Sequence, residues 1–393
     1  MSGWRIWRHF DYVLFVVVIL LTAYGVVMIY SANRGSLDTD LQGLWRRQAI
    51  LGAVGLVLVL LLAVFPRDYH WLGDFWWLAF AIAVALLVLV LFFGGSQAGT
   101  VASWFDLGFF ALQPAFVAMN LLTIAVGAIL SRPRRKTPET PLFGAPKTTM
   151  EEPVSEKPDF WNYVGSLVMT LVLAGLVFMQ PDLGAAMVLL AMWVAMLYEA
   201  GIGMRYLVLT GVAAVVAVIP LWYLAGVLGF EHMHERVYGF LNPGGNPDVV
   251  YQLDQALIAI GSGGFAGKGF AQGTQSQLRY LPVRHTDFIF AVIAEELGFL
   301  GVLLLFALYA VLFARLLRII ALAADTFGRV VATGALGMIL FQAITNVGMN
   351  LGVLPVVGLP LPFISYGPAA LLTMLIAIGM AENVVMRHRK LGF

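Results

Sequence analysis

The chain has 393 residues, of which 61% are hydrophobic and only 11% are charged, and its formal net charge is +1. Soluble domains carry roughly 25% charged residues, so this composition excludes an ordinary soluble globular protein. The chain has no cysteine, which excludes disulfides and thiolate metal sites, and it has no basic helix of the kind that binds nucleic acid.

The apolar residues occur in long uninterrupted runs. The hydrocarbon core of a bilayer requires about 20 such residues per helix, and strand-like alternation is absent here. The sequence therefore predicts an all-α fold, a polytopic transmembrane helical bundle of about ten spans. The predicted spans are 12–30, 48–65, 75–93, 108–130, 162–179, 183–199, 206–228, 289–314, 329–351 and 367–386.

The orientation follows from the lysine and arginine residues in the connecting segments. If the N-terminus lies inside, most of the 23 lysines and arginines fall in inner segments, as the positive-inside rule requires. We therefore expect a multi-pass protein of the cytoplasmic membrane with both termini cytoplasmic.

Two connecting segments are unusually long. Residues 131–161 are rich in Pro, Thr, Lys and Glu, which predicts a flexible cytoplasmic loop. Residues 229–288 form a predicted extracytoplasmic loop between spans seven and eight, and a loop of this length with many apolar side chains favours a function. Within it, Val250–Ile260 is predicted to be a short amphipathic helix at the membrane surface.

Two earlier sites carry polar groups at span ends. Trp104 precedes the fourth span and is typical of an interfacial anchor. Gln180, Pro181 and Asp182 interrupt the apolar stretch between the fifth and sixth spans. Asp182 could orient a basic group or a metal ion, or it could cap the sixth span.

The richest chemical stretch ends at the start of the eighth span. There, Asp287 follows four basic side chains: Lys268, Arg279, Arg284 and His285. Cations at a membrane surface suit a phosphate-bearing headgroup, and a carboxylate among cations stays ionised and can act as a general base. The alternative is structural: Thr286 or Asp287 could cap the helix that follows.

Glu295 and Glu296 lie farther along the same span. Acidic residues within a membrane are costly, which favours a function for them. The alternative is a buried polar contact with Gln342, Asn346 or Asn350 of the ninth span.

Proline residues interrupt the chain again between Pro355 and Pro368, where a regular helix is not possible. We expect this stretch to shape a cavity wall, with Ser365 as a candidate contact for a substrate.

Together these motifs resemble those of the SEDS family (shape, elongation, division and sporulation). The segments that carry the resemblance are 261–264, 267–269, 273–277, 281–282, 284–290, 295–298, 180–184 and 360–367. They cover nearly the whole chain in the family's order, so the chain is identified as a single SEDS-type domain, 1–393. The segments 267–269 and 273–277, with Arg284 before His285, are most similar to the cell-elongation branch.

The resemblance implies a bacterial peptidoglycan glycosyltransferase that polymerises lipid II at the outer face of the cytoplasmic membrane, with the family's essential aspartate at Asp287. It implies a class B penicillin-binding protein as partner, together with other membrane proteins of the elongation complex, and no nucleic acid. A divalent cation such as Mg²⁺ could bridge the substrate diphosphate. The candidate substrate-binding residues are Arg236, Lys268, Arg279, Arg284, His285, Thr286, Gln180, Asp182, Trp104 and Ser365, and Glu295, Glu296, Asn346 and Asn350 are candidate structural residues of the cavity.

The sequence departs from the family pattern at three places. Ser103 stands before Trp104, where relatives usually have Arg; 113–116 reads Gln-Pro-Ala-Phe and lacks the usual Glu and following Lys; and 365–370 lacks the usual Gly-Ser-Ser ending. Two other functions stay open at this point: a transporter that flips lipid II, and a non-catalytic scaffold of a cell-wall complex.

Overall fold

The structure is a computed structural model, and it describes residues 7–36, 38–65, 68–95, 103–106, 108, 110–132, 158, 160–227 and 247–387. These ranges contain thirteen helices and one two-stranded hairpin. In chain order they are α1 (Tyr12–Asn33), α2 (Thr39–Val64), α3 (His70–Asp74), α4 (Trp76–Phe93), β1 (Phe105–Asp106), β2 (Ala111–Leu112), α5 (Pro114–Leu130), α6 (Phe160–Phe178), α7 (Leu183–Glu199), α8 (Met204–Val227), α9 (Pro247–Gly263), α10 (Thr274–Gln277), α11 (Ile289–Leu322), α12 (Thr326–Asn350) and α13 (Pro368–Met386).

The prediction of a polytopic helical bundle is confirmed. Within the described ranges, seven helices are long and apolar enough to cross a membrane, and three more are shorter and apolar. These ten helices fall where the apolar runs predicted spans, because an apolar run of this length can satisfy its backbone in lipid only as a helix. The chain is therefore a multi-pass membrane protein.

The span boundaries differ from the prediction where local polar groups decide them. The helix α2 begins nine residues earlier than the predicted span, because the side chain of Asp38 caps it by accepting a hydrogen bond from Asp40 N at 2.9 Å. The helix α5 begins six residues later, because the antiparallel hairpin β1–β2 comes first and Pro114 occupies the first helical turn.

The long connecting segments are described only in part. The predicted amphipathic helix is present and longer than expected, as α9, which packs against α11. Most of the predicted cytoplasmic loop 131–161 lies outside the described residues, as do residues 228–246 with the candidate Arg236. The predictions made for these residues stay predictions.

The two C-terminal helices form the centre of the bundle. In α13, 89% of the most apolar stretch is buried, whereas in α4 only 17% is buried. The helix α13 packs against α2, and α12 packs against α7. The exposed side chains of α4 are apolar, as expected for a helix whose surroundings are lipid tails.

The helix α11 is broken at Gly298, which has φ 66° and ψ −160°. In an unbroken helix, Phe299 N and Leu300 N would donate to the carbonyls of Glu295 and Glu296. Here they donate to the carbonyls of Gly264 (2.9 Å) and Phe265 (3.2 Å).

The two carbonyls released by the break also find partners in the same loop. Glu295 O accepts from Lys268 N at 3.0 Å, and Glu296 O accepts from Gly269 N at 3.0 Å. A Cβ at Gly267 would lie 2.2 Å from Glu296 O, so only glycine allows the loop to come this close. The loop 264–269 thus completes the hydrogen bonding of α11 and holds that helix at its break.

Candidate functional site

A cavity of about 1110 Å³ lies where the hairpin β1–β2, the start of α7 and the segment before α11 meet. Two further walls come from the start of α2 and from the segment 355–370. Six residues predicted to bind substrate or react line this cavity: Trp104, Gln180, Asp182, His285, Thr286 and Asp287. The structure therefore brings together residues that are more than 180 positions apart in the chain.

The backbone just before Asp287 is held by the segment that follows α12. Tyr366 N donates to His285 O at 2.8 Å, and the Ser365 hydroxyl donates to Thr286 O at 2.6 Å. The same hydroxyl accepts from Leu361 N at 2.8 Å. Ser365 is buried, so its bonds support the site, and its direct contact with substrate stays a prediction.

Asp287 itself is held through its carbonyl. Asn346 Nδ2 and Asn350 Nδ2 donate to Asp287 O at 3.0 and 2.9 Å, and both asparagine side chains are fully buried in α12. Neither Thr286 nor Asp287 occupies the cap position of α11, which is taken by Phe288 with no side-chain cap bond. The Asp287 segment is thus fixed by backbone bonds, and its side chain belongs to the cavity lining.

Asp182 is a helix cap, one of the two roles predicted for it. One carboxylate oxygen accepts from Ala185 N at 2.8 Å, and the other accepts from Gln113 Nε2 at 2.5 Å. Close by, Gln180 donates to Leu87 O, while its side-chain oxygen has no hydrogen-bond partner among the described residues. That oxygen is a candidate acceptor for a hydroxyl or amide of a bound substrate.

Lys268 lies apart from the cavity lining. Its ammonium group pairs with Glu295 at 2.8 Å and donates to the Thr274 hydroxyl at 2.7 Å. The expected juxtaposition of Lys268 with Asp287 is corrected, because the loop 264–269 is tied to the break in α11 and carries the lysine there.

Arg279 and Arg284 do not line the cavity either. Arg284 Nε donates to Ala32 O at 2.6 Å, and Arg279 donates to Gly35 O at 3.3 Å. Arg284 therefore satisfies a carbonyl in the last turn of α1, and Arg279 satisfies a carbonyl of the segment that follows it. Of the four basic side chains expected next to Asp287, only His285 belongs to the described cavity lining.

Glu295 and Glu296 have different partners from those expected. Neither contacts Gln342, Asn346 or Asn350 in the described hydrogen bonds. Glu295 accepts from Lys268 Nζ, the Thr274 hydroxyl, Gln275 N and Ser276 N, and Glu296 accepts from the Ser31 and Ser276 hydroxyls, Ala271 N and Gln277 Nε2. Both carboxylates are thus enclosed by donors from the loop 268–277 and from the end of α1, because the break in α11 brings that loop against them.

Comparisons with known proteins place the chain in a family. A family model for FtsW, RodA and SpoVE proteins, described as "Cell cycle protein", matches residues 11–390. The chain is 36% identical over 386 residues to the peptidoglycan glycosyltransferase MrdB of Escherichia coli, covering 98% of this chain and 95% of that protein. The chain belongs to the FtsW/RodA/SpoVE family.

Solved structures of family proteins have the same fold. A chain of a peptidoglycan synthase complex matches with a TM-score of 0.75 and 29% identity, covering 97% of this chain and 99% of that one. The rod shape determining protein RodA of Thermus thermophilus matches with a TM-score of 0.65 and 29% identity, covering 96% of each chain. The resemblance to the SEDS family, drawn from the motifs, is confirmed.

This member of the FtsW/RodA/SpoVE family has uncharged side chains at two of its departures from the family pattern. At the start of α5, Gln113 and Phe116 line the cavity, and Gln113 is bound to Asp182. Ser103, in place of the usual Arg, donates to the carbonyl of Gln180 at 3.1 Å. These positions therefore supply shape and hydrogen bonds in this chain, and no cation.

Three ionisable residues of the cavity lining were not among the candidates from the sequence: Arg47 at the start of α2, Asp106 and Tyr366. Burial raises the pKa of Tyr366, and the Arg47 guanidinium beside its hydroxyl, a smaller effect, lowers it. Arg47 follows Arg46, and two arginines at the start of a span are typical of an ordinary membrane-surface anchor. The sequence alone therefore gave no signal that Arg47 lines a cavity.

His285 is held in its neutral form. Burial, with a smaller contribution from the neighbouring Arg284 guanidinium, lowers the pKa of His285 to about 4. Its ring packs against Tyr366 with the centroids 6.0 Å apart. The imidazole can therefore donate or accept a hydrogen bond in the cavity at neutral pH, but it brings no charge.

The cavity lining offers oxygen ligands for a divalent cation, although no group of three or more His, Asp or Glu residues in the described ranges could hold one. Mg²⁺ at phosphate substrates commonly uses one or two carboxylates. Asp182 and Asp287, both in the lining, fit that limited role, and a bridging cation stays a prediction.

Proposed function

We propose that this chain is a peptidoglycan glycosyltransferase that polymerises lipid II during cell elongation, with Asp287 as the general base. The observation that carries the proposal is that Asp287 lines a cavity of about 1110 Å³ while four side-chain and backbone donors hold its segment in place. The relatives support the reaction, since proteins named peptidoglycan glycosyltransferase MrdB and RodA align over almost the whole chain.

The reaction needs one base. The donor sugar is linked to a polyprenyl diphosphate, which is a good leaving group and needs cationic stabilisation more than a proton. The 4-hydroxyl of a second lipid-linked sugar attacks the anomeric carbon. Asp287 takes the hydroxyl proton, and the bond from the anomeric carbon to the phosphate oxygen breaks. A single displacement of this kind inverts the anomeric centre and forms no covalent enzyme intermediate.

The substrate's location sets the topology. Lipid II is polymerised at the outer face of the membrane, so the cavity opens outward and both termini lie in the cytoplasm. The excess of lysine and arginine in the segments assigned to the inner side supports this orientation. An extracytoplasmic label placed before α11 and a cytoplasmic label placed after α13 would test it.

We also propose a class B penicillin-binding protein as the partner that cross-links the new strand, with other membrane proteins of the elongation complex. The matching chain of a structure described as coordinating polymerisation and crosslinking in a peptidoglycan synthase complex supports this partner. Co-purification of the chain with its cognate transpeptidase from membranes would test the proposal.

The deciding experiment is polymerisation of purified lipid II by the full chain, with and without that transpeptidase. Asp287→Asn should lower the rate by at least about 100-fold, because it removes the base while leaving the carbonyl bonds of residue 287 intact. Asp74→Asn, at an exposed acid of α3 outside the cavity lining, is the matched control and should polymerise at the wild-type rate. Elution profile and unfolding temperature should be alike for all three proteins.

Three results would contradict the proposal. Polymerisation retained by Asp287→Asn would remove this carboxylate from the mechanism. A wild-type chain that makes no glycan even with its transpeptidase would favour a scaffold. A wild-type chain that makes no glycan but moves fluorescent lipid II across liposomes would favour a flippase.

A further inference from the structure

A lipid-linked diphosphate would bring at least two negative charges into a cavity that already contains carboxylates. Asp106, Asp182 and Asp287 all belong to the lining. Coulomb repulsion in a partly desolvated site is strong, so such a ligand requires a compensating cation. Of the basic side chains first expected to supply it, Arg236 lies outside the described residues, and the other three are bound elsewhere. Lys268 pairs with Glu295, and Arg279 and Arg284 donate to carbonyls of residues 35 and 32.

Among the lining residues that the structure describes, Arg47 is the one lysine or arginine. His285 lines the cavity as well, but burial keeps its imidazole neutral near pH 7. The nearest arginine in sequence, Arg46, is exposed, lies outside the lining and stacks over Trp45 at 5.3 Å. The positive charge of the described lining is thus concentrated in a single guanidinium.

The position of Arg47 is fixed from both sides. The next residue, Gln48, is buried in α2, and its side chain donates to Ser365 O at 3.1 Å and accepts from Gly367 N at 3.5 Å. Tyr366 stands between Ser365 and Gly367 in the sequence, and the Arg47 guanidinium lies beside its hydroxyl. Consecutive residues of α2 therefore contact consecutive residues of the segment 365–367.

That same segment also holds the backbone of the residues just before Asp287. Tyr366 N donates to His285 O, and the Ser365 hydroxyl donates to Thr286 O. A continuous set of hydrogen bonds thus runs from the start of α2 through residues 365–366 to the residues next to Asp287. These bonds fix the Arg47 guanidinium relative to the Asp287 carboxylate. A site of this kind must position the group that binds the leaving phosphate relative to the group that takes the proton.

We propose that Arg47 binds the diphosphate of the lipid-linked donor and that Tyr366 is the positioning residue that aims its guanidinium into the cavity. This inference rests on the proposed function, since it names the residue that meets the leaving group of that reaction. A planar guanidinium matches two phosphate oxygens at once, which a lysine cannot do. When the anomeric bond breaks, its electron pair stays on the phosphate oxygen, and Arg47 stabilises the added negative charge.

The test measures binding separately from polymerisation. The full chain in detergent is titrated with undecaprenyl diphosphate, and undecaprenyl monophosphate serves as the second ligand. Arg47→Ala should weaken binding of the diphosphate by at least about 10-fold, in the range expected for a charge-assisted bidentate contact. Arg46→Ala, the matched control on the same helix, should bind as the wild type does. Arg47→Lys should have an affinity between those of Arg47→Ala and Arg46→Ala, because it keeps the positive charge and loses the planar group that binds two oxygens at once.

The positioning role of Tyr366 has its own readout. Tyr366→Phe keeps the ring that packs against His285 and removes the hydroxyl beside Arg47, so it should weaken diphosphate binding several-fold in the wild-type background. In the Arg47→Ala background the same substitution should have no further effect on binding. An equal loss in both backgrounds would mean that Tyr366 acts without Arg47 and would overturn its assigned role.

The outcomes separate this inference from the proposed function. Unchanged diphosphate binding in Arg47→Ala, or equal losses in Arg46→Ala and Arg47→Ala, would overturn the inference even if the wild-type chain polymerises lipid II normally. Asp287→Asn should bind the diphosphate at least as tightly as the wild type, because it removes a negative charge from the lining, and it should make no polymer. A chain that binds through Arg47 but never polymerises would contradict the proposed function alone. If Arg47→Ala does not fold, Arg47→Gln takes its place, with unfolding temperature as the check.

Discussion

Two sets of acidic residues lie close together at the start of α11 and differ in what surrounds them. Asp287 precedes the helix and belongs to the lining of a large cavity, with its carbonyl held by two asparagines. Glu295 and Glu296, within the helix, are fully buried and accept bonds from a loop and from the end of α1. The same type of side chain thus serves two purposes only a few residues apart.

The comparison teaches that the donors around an acid, rather than its depth in the membrane, indicate its role. A buried carboxylate is tolerated only when its charge and lone pairs are satisfied, and satisfying both glutamates requires the loop 268–277 to take one conformation. The glutamates therefore organise the fold. An acid facing a cavity retains room for a ligand, which is the arrangement that chemistry requires.

The largest expected effect comes from breaking the hydrogen bonds of the buried glutamates. Glu295→Gln replaces a buried anion, which accepts from Lys268 and three other donors, with a neutral amide whose NH₂ group cannot accept from the donors at one of the two oxygen positions. We expect a loss of about 3–5 kcal/mol in the free energy of unfolding, as for other broken buried pairs. Denaturant unfolding of the purified chain would measure it.

Lys268→Met is the control for that substitution. It removes one donor from Glu295 and leaves the backbone donors Gln275 N and Ser276 N in place, so it should destabilise the chain less than Glu295→Gln. If Glu295→Gln unfolded like the wild type yet made no polymer, Glu295 would belong to the chemistry, and the distinction between the two sets of acids would be lost.

A smaller effect is expected from removing the donors that hold the Asp287 backbone. Asn346→Ala and Asn350→Ala each remove one of the two amide donors to Asp287 O. Each should lower kcat by about 10-fold with little change in KM, because a displaced base slows proton transfer without removing a substrate contact. The double variant should lose more than the product of the two single losses, since it leaves the carbonyl without either donor. Equal changes in kcat and KM would instead indicate that the asparagines act through substrate binding.

The smallest effect concerns His285 and depends on pH. Because the folded protein holds the pKa of His285 at about 4, against an ordinary value of 6.5, the unfolded chain binds more protons between these two values. Stability should therefore fall as the pH is lowered from 6.5 towards 4, by about 1 kcal/mol at pH 5 after allowance for partial exposure. Unfolding temperatures of wild type and His285→Gln across this range would show it. The same dependence of unfolding temperature on pH in both proteins would mean that another group titrates.

The sequence predicted the spans well because a helix in lipid needs only a long apolar run, which is a local property. It also identified Asp287, Gln180 and Asp182, since each interrupts or begins a span where polar groups are conspicuous. All three belong to the cavity lining.

The partners of these residues were beyond sequence reasoning because they depend on how distant segments meet. Lys268 seemed close to Asp287 along the chain, but the break at Gly298 carries it to Glu295 instead. Arg47 lies more than 200 residues from Asp287, and only the packing of α2 against the segment 365–367 relates the two. The break in α11 rests on backbone hydrogen bonds between the loop 264–269 and residues 295–300, and such bonds leave no periodic signature in the sequence.

The break in α11 has a consequence for how the protein is made. The ribosome releases residues 264–269 before residues 295–300, yet each stretch supplies the backbone partners of the other. When α11 first enters the bilayer, it must either pass through an unbroken helical form or leave four amide and carbonyl groups exposed to hydrocarbon. An insertion or deletion between Gly264 and Gly269 would change the register of these backbone hydrogen bonds. Even a one-residue insertion there should therefore be far less tolerated during biogenesis than an insertion in an ordinary connecting loop.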